Sequence, residues 1–140
     1  MAECIGRSRG GRTSKIHVGV NQYGKPVRLG ISAGHVHDSQ MMHLFLNWDR
    51  PPLAIVADKA YGSVKIRQQI ADEAALAVIP SKSNAKHPVP HDTNLYKMRN
   101  IVERFFCKMK DMRRLATRFE KHGQNFLNML YIYAFKCWCN

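Results

Sequence analysis

Lys15-Ile16-His17-Val18-Gly19-Val20 alternates polar and apolar positions with period two, which predicts a strand with one buried face. Asn21-Gln22-Tyr23-Gly24-Lys25-Pro26 carries turn chemistry, and Val27–Ile31 reads as a second strand, so the two form a hairpin. Asp38 is placed to cap a helix running from Ser39 to Leu46, which Asp49-Arg50-Pro51-Pro52 ends. Leu53-Ala54-Ile55-Val56-Ala57 is a continuous apolar run, the pattern of a strand buried on both faces, and it stops at Asp58. A helix over Ser63–Glu73 and a second buried strand, Leu76–Ile79, complete a strand–helix–strand order that implies a parallel pair with a right-handed crossover. Pro80–Thr93, with three prolines, is a loop. Thr93–Thr117 reads as one long amphipathic helix, and after Gly123 a more apolar helix runs towards Trp138. The chain shows no internal repeat, so the expectation is a single α/β domain over residues 1–140 with a helical C-terminal end.

Composition changes this picture in one respect, the choice of partner. Lys and Arg total 22 against 10 acidic residues, a formal net charge of +12. A charge so one-sided favours a polyanion, nucleic acid first. An anionic membrane surface is the rival, but no apolar run approaches the roughly 18 residues of a spanning helix. Met1–Arg12 is basic and glycine-rich without an apolar stretch, which reads as no signal peptide and a cytoplasmic chain. Residues 1–14 are expected to form a basic arm. Arg7, Arg9 and Arg12 lie in it, and composition alone permits either phosphate contact or a solvated tail. Cys4, Cys107, Cys137 and Cys139 contain no CxxC pair and are expected to be free thiols, with Cys107 packed as a small apolar residue in its helix.

At about 100° per residue, Tyr96, Arg99, Glu103 and Lys110 fall within an arc of roughly 60°. Met98, Ile101, Val102, Phe105, Met109 and Met112 point the other way and supply the buried face. Taken alone, the charged arc is equally an ordinary solvated helix face. Asp58 adds chemistry, because the carboxyl end of a buried strand is where open α/β sheets place ligands. Its simpler role is to cap the following turn. If the sheet brings Asp58 and Glu103 together, within about 8 Å, their oxygens make a site of the kind Mg²⁺ prefers. Two such ions about 3.5–4 Å apart activate a water or 3′-hydroxyl against a phosphodiester.

Tyr96-x₂-Arg99-x₃-Glu103-x₆-Lys110 matches, at all four positions, the Y-x₂-R-x₃-E-x₆-K signature of bacterial insertion-sequence transposases of the DDE type, and the chain resembles the C-terminal part of that family. Ala57-Asp58-Lys59-Ala60-Tyr61 resembles the strand end that carries the family's second Asp. Gly6-Arg7-Ser8-Arg9-Gly10-Gly11 resembles a segment found after its first, and Gly34-His35-Val36-His37-Asp38-Ser39 the loop before its first core helix. The resemblance implies an RNase H-like α/β fold in which three acidic residues bind two Mg²⁺ ions for DNA strand cleavage and transfer. Asp58 would be the second metal ligand and Glu103 the third. Arg99 and Lys110 would contact the phosphates of the element's end, and Tyr96 would help position it.

The chain departs from that family's pattern at two places. Gly62 stands where the family often has another Asp. More important, the family's first Asp lies on a strand upstream of the Gly-Arg-Ser-Arg-Gly-Gly segment, and only Met1-Ala2-Glu3-Cys4-Ile5 precedes it here. The expectation is an incomplete RNase H-like mixed sheet with flanking helices, weak Mg²⁺ binding and no activity by the chain alone. Exposed strand edges would favour a homodimer, or association with a chain that supplies the missing strand. Two other readings compete. One is a non-catalytic basic DNA-binding protein. The other is a metal hydrolase built on His35-x-His37-Asp38, whose two histidines could share one side of an extended segment.

Overall fold

Within the expected basic arm, residues 6–8 and 11–14 are strand. In the computed structural model, which describes residues 6–8, 11–117 and 122–140, β1 (Gly6–Ser8) pairs antiparallel with β2 (Gly11–Val20). In turn β2 pairs antiparallel with β3 (Pro26–Ala33), giving the order β1-β2-β3. Composition left phosphate contact and a solvated tail equally open, and a polar, glycine-rich segment also satisfies its backbone groups in a ladder when a longer strand lies beside it. Beyond the end of β3 the Gly34 amide donates to the Thr13 carbonyl at 3.0 Å, and a Cβ at Gly34 would collide with the Thr13 side chain.

The predicted hairpin turn forms at its expected place. Asn21 Oδ1 accepts from the amides of Tyr23 and Lys25, both at 3.0 Å, and Gly24 takes φ +76°, which favours glycine. The chain divides into two compact units, Met1–His37 with Ile101–Asn140, and Asp38–Asn100. In the first unit, Ile31 of β3 joins Phe105, Met109, Leu115, Phe126, Leu130 and Tyr133 in one core. Ile16, Val18 and Val20 pack against it, as period two requires. His17 and Ser32, each 5% exposed, satisfy one another across the hairpin, with His17 Nε2 2.7 Å from Ser32 Oγ.

The long helix expected over 93–117 is four shorter pieces: α2 (Thr93–Tyr96), a 3₁₀ turn at Lys97–Arg99, α3 (Asn100–Met109) and α4 (Arg113–Ala116). After α3 the hydrogen bonds shorten to i→i−3 at Asp111 and Met112, and Met112 turns extended before α4 begins. The break leaves Leu115 in the Phe105–Met109 core. Of the expected apolar face, Phe105 and Met109 are buried and Ile101, Val102 and Met112 half-buried, whereas Met98 is exposed. Cys107 is exposed too, because it lies only about 40° round the helix from Glu103 at 100° per residue. The C-terminal helix, α5 (Gly123–Cys139), buries Phe126, Leu130, Tyr133 and Ala134. Its end is tied to the hairpin: Trp138 Nε1 donates to the Pro26 carbonyl at 2.7 Å, and Lys25 Nζ donates to the carbonyl of Cys137. No helix among the described residues is long and apolar enough to cross a membrane.

The second unit contains the parallel pair. β4 (Ala54–Val56) and β5 (Leu76–Val78) run parallel in register Ala54↔Leu76, and α1 (Val64–Asp72) connects them. Ser63 starts α1 by accepting from the Ile66 amide at 3.2 Å. Ile66, Ile70, Ala75 and Ile79 form the core with Met42, which comes from a 3₁₀ helix over Asp38–Phe45 rather than the α-helix expected there. β4 is less buried than its apolar run predicts: Ala54, Ile55 and Val56 are half-buried, and among the described residues its sheet has two strands. In β5 Leu76 is exposed, but Val78 and the following Ile79 are fully buried, as the apolar run predicts.

Glu73 clamps the connection into β4. Its two carboxylate oxygens accept from the amides of Asn47 (2.9 Å) and Trp48 (3.3 Å), where Asn47 holds φ +59°. Each such bond contributes about 0.5–1.5 kcal/mol net. Glu73→Ala should therefore lower unfolding stability by about 1–2 kcal/mol, measured by urea denaturation. An unchanged midpoint would show that the clamp holds nothing.

Candidate active site

Asp58 ends the β4 pairing. The Ala57 amide still donates to the Val78 carbonyl at 3.2 Å, and Asp58 itself is extended at φ −80°, ψ 173°. Its Oδ1 accepts from the Ala60 amide at 2.8 Å and caps a 3₁₀ turn over Lys59–Tyr61. The capping role is therefore real, and it occupies only one oxygen. The other, Oδ2, lies 4.0 Å from a terminal nitrogen of Arg99. With side chains 34% (Arg99) and 39% (Asp58) exposed, the pair is screened by water and adds little stability. A capped turn holds Arg99 in place: Asp92 Oδ1 accepts from the amides of Asn94 and Leu95 and starts α2. Tyr96, half-buried, meets the His91 ring edge-on at 5.3 Å between centroids.

Two further residues gather at Asp58 that sequence reasoning did not assign to the site. The Tyr61 hydroxyl is pushed up to about 12, first by burial and then by the negative charges of Asp38 and Asp58. The 3₁₀ helix beginning at Asp38 packs against the Asp58 turn. The sequence signal was present in Asp58-x₂-Tyr61, but Asp38 was expected only as a cap or beside His35 and His37, not beside Asp58. Tyr133 in the first unit is likewise raised to about 12, by burial and by its hydrogen bond with Cys137.

A phenol with a raised folded-state value binds its proton more tightly when folded than the ordinary value of 10 allows. Its contribution to stability is full below pH 10 and is lost as pH rises through about 12. Tyr61→Phe should therefore flatten the loss of stability between pH 10 and 12. Thermal melts across that window check it, and an alkaline slope identical to wild type would count against the buried setting of Tyr61.

The remaining candidates belong to the first unit or to its undescribed parts. Glu103 and Lys110 are exposed, Glu103 in the first turn of α3 and Lys110 one residue past its end. Lys110 still donates helically, its amide to the Phe106 carbonyl at 3.1 Å. The arc that joined Tyr96, Arg99, Glu103 and Lys110 assumed one rotation per residue throughout. The 3₁₀ turn at Lys97–Arg99 advances about 120° per residue instead. Asp58 and Arg99 come together in the unit that also holds Tyr96, and Glu103 and Lys110 belong to the other. Arg7 and Arg12 face each other in the β1–β2 register; their side chains, and Arg9, lie outside the described residues. His35 and His37 are exposed, and among the described residues no three His, Cys, Asp or Glu side chains converge as a metal-binding group.

A family model described as the transposase DDE domain matches residues 3–135. The chain belongs to the insertion-sequence DDE transposases. It is 32% identical over 131 residues to a Brucella ovis protein provisionally named a transposase for insertion sequence element IS6501, an alignment covering 90% of this chain and 98% of that protein. No solved structure matches the chain. The family's work is DNA transposition, and its substrate is DNA.

DDE transposases typically use a divalent metal, and the donors here fit that requirement in kind. A carboxylate has about four lone-pair positions, so Asp58 can cap its turn through Oδ1 and still offer oxygen to a hard cation. The exposed Glu103 carboxylate is a second donor of the same type.

Proposed function

We propose that this chain is part of a single DDE transposase catalytic domain with an RNase H-like mixed sheet, and that Asp58 and Glu103 are two of its three metal carboxylates. The observation that carries the reading lies within the second unit. There the Arg99 guanidinium of the Tyr-x₂-Arg-x₃-Glu-x₆-Lys signature stands 4.0 Å from Asp58 at the carboxyl end of β4. A solvent-screened pair contributes too little stability to explain that placement. A site where phosphate and metal compete for the two charges does explain it.

On this reading Asp58 and Glu103 hold Mg²⁺. Bound there, the metal supplies Lewis-acid stabilisation and an activated oxygen nucleophile for attack on a phosphodiester. Arg99 and Lys110 hold phosphate oxygens, as do Arg7, Arg9 and Arg12, and Tyr96 braces the strand. Such contacts set register and salt dependence rather than sequence choice. The Asp58 cap keeps its carboxylate aimed before substrate arrives, so less ordering is left for the reaction step.

A site made of these two carboxylates alone should hold Mg²⁺ weakly. A homodimer, or a partner that contributes an Asp-bearing strand, would complete it, in the cytoplasm where DNA is at hand. The test is Mg²⁺- or Mn²⁺-dependent nicking of supercoiled DNA by the purified chain, before and after addition of a polypeptide carrying such a strand. Metal-dependent nicking that rises with the added strand supports the reading. The charge of +12 favours a second reading, a DNA-binding protein without catalysis. No nicking in either arm, alongside salt-sensitive DNA binding, would select it.

A further inference from the structure

Residues 104–117 carry Arg104, Lys108, Lys110, Arg113 and Arg114 against Asp111 as their one acidic residue. Arg104, Lys108, Arg113 and Arg114 are all exposed. On α3, Arg104 and Lys108 lie about 100° and 140° round the axis from Glu103, so they form a flank of their own. Beneath them Phe105, Met109 and Leu115 are buried in the core of the first unit, which fixes the backbone that presents the charges.

We propose that Arg104, Lys108, Arg113 and Arg114 form a second DNA-contacting ridge, separate from the Asp58–Glu103 residues, that holds the phosphate backbone of a duplex without regard to sequence. The spacing is poor for stability and good for a polyanion. Arg104 and Lys108 are a like-charge pair at i, i+4, which costs a helix a few tenths of a kcal/mol. Arg113 and Arg114 are adjacent like charges in the single turn of α4, which contains no acidic residue. Duplex DNA presents about one charge per 1.7 Å of its axis, enough to neutralise all four side chains along α3 and α4.

The ridge also lacks what other anionic partners need. A protein interface has an apolar or aromatic centre, and a membrane-surface helix sets Trp, Phe or Leu beside its cations. Here the large apolar side chains between the cations, Phe105, Phe106, Met109 and Met112, are buried or half-buried and turned inward, and only the small Cys107 among the apolar ones is exposed. The inference rests on the transposase reading only for the identity of the polyanion.

The experiment measures binding of the full chain to a random-sequence duplex across about 50–200 mM salt. Four lost phosphate contacts should lower the slope of log K against log salt by about 3–4, at about 0.9 per contact, and weaken binding near 100 mM salt by about 10²-fold or more. The variant is Arg104→Gln with Lys108→Gln, Arg113→Gln and Arg114→Gln. Each half, R104Q/K108Q or R113Q/R114Q, should remove about half of that slope, so the result does not hang on the folding of the fourfold variant. A charge-matched control, Lys59→Gln with Lys65→Gln, Lys82→Gln and Lys86→Gln, should lower the slope by less than about 1.

Equal losses in ridge and control variants would mean bulk charge rather than a ridge and would overturn the proposal. Wild-type slope in both halves would do the same while leaving the transposase reading intact. Capture of phosphatidylserine vesicles that depends on the ridge, with DNA binding unchanged, would reassign it to a membrane surface. A wild-type chain that binds no duplex would sink the ridge together with the DNA reading.

Discussion

Glu103→Gln should remove whatever Mn²⁺-dependent nicking the chain shows, by about 10³-fold, because a lost metal carboxylate forfeits several kcal/mol of transition-state stabilisation and each 1.36 kcal/mol is tenfold. Gln keeps the length and shape of the side chain and removes only the charge and the strong oxygen donor. Glu103 is exposed, so the fold should be unchanged, with the same thermal midpoint as wild type. Asp58→Asn should cost as much, and the double variant no more than either single one, since groups that act as a unit lose their effect together. DNA affinity should hold or rise slightly when the negative charge at Glu103 is lost. Nicking that survives Glu103→Gln belongs to another site and removes Glu103 from the chemistry.

Asp58→Asn carries a second readout that Glu103→Gln lacks. The Asp58 Oδ1 cap on the Ala60 amide is retained by an Asn oxygen, while Oδ2, 4.0 Å from Arg99, becomes an amide. Stability should therefore hardly move. A large fall in stability with Asp58→Asn would mean that its charge beside Arg99 is chiefly structural.

The sequence made the local geometry legible wherever one rule acted alone. Period two found β2, turn chemistry placed Asn21–Lys25, and Ser63 marked the start of α1. Asp58 was legible in both of its candidate roles, and its carboxylate performs the cap while facing Arg99. What escaped depended on partners distant in the chain. The β1–β2 ladder forms from residues that read as a basic arm, because strand pairing needs only backbone groups. The burial of β4 was overestimated because an apolar run reports what a strand could bury, whereas the elements that cover it decide what it does bury. Helix periodicity was right for Phe105 and Met109 and failed at Lys97–Arg99 and at Lys110–Met112. Those are the places where 3₁₀ bonding changes the rotation per residue. The place of Tyr61 between Asp38 and Asp58 was invisible, since no local pattern ties residue 38 to residue 58.

The largest effect on stability should come from Leu130→Ala. Leu130 is 1% exposed on α5 and joins Ile31, Phe105, Met109, Leu115, Phe126 and Tyr133 in the core of the first unit. With Phe126 and Tyr133 it packs α5 against β3 and α3. Truncation removes the transfer free energy of its side chain and leaves a cavity that only partly collapses, together about 3–5 kcal/mol. Domains of this size have about 5–15 kcal/mol in all, so the variant should sit near the edge of folding at 37 °C. Leu130→Met, which conserves volume, should cost less than about 1.5 kcal/mol. Denaturant titration followed by tyrosine and tryptophan fluorescence measures both. The hairpin tie between Trp138 and the Pro26 carbonyl gives a local probe, since loosening of α5 should change Trp138 emission before global unfolding. A loss under about 1 kcal/mol for Leu130→Ala would mean that α5 is not packed on this core. The ridge on α3 and α4 would then lose the fixed backing from which its phosphate contacts were inferred.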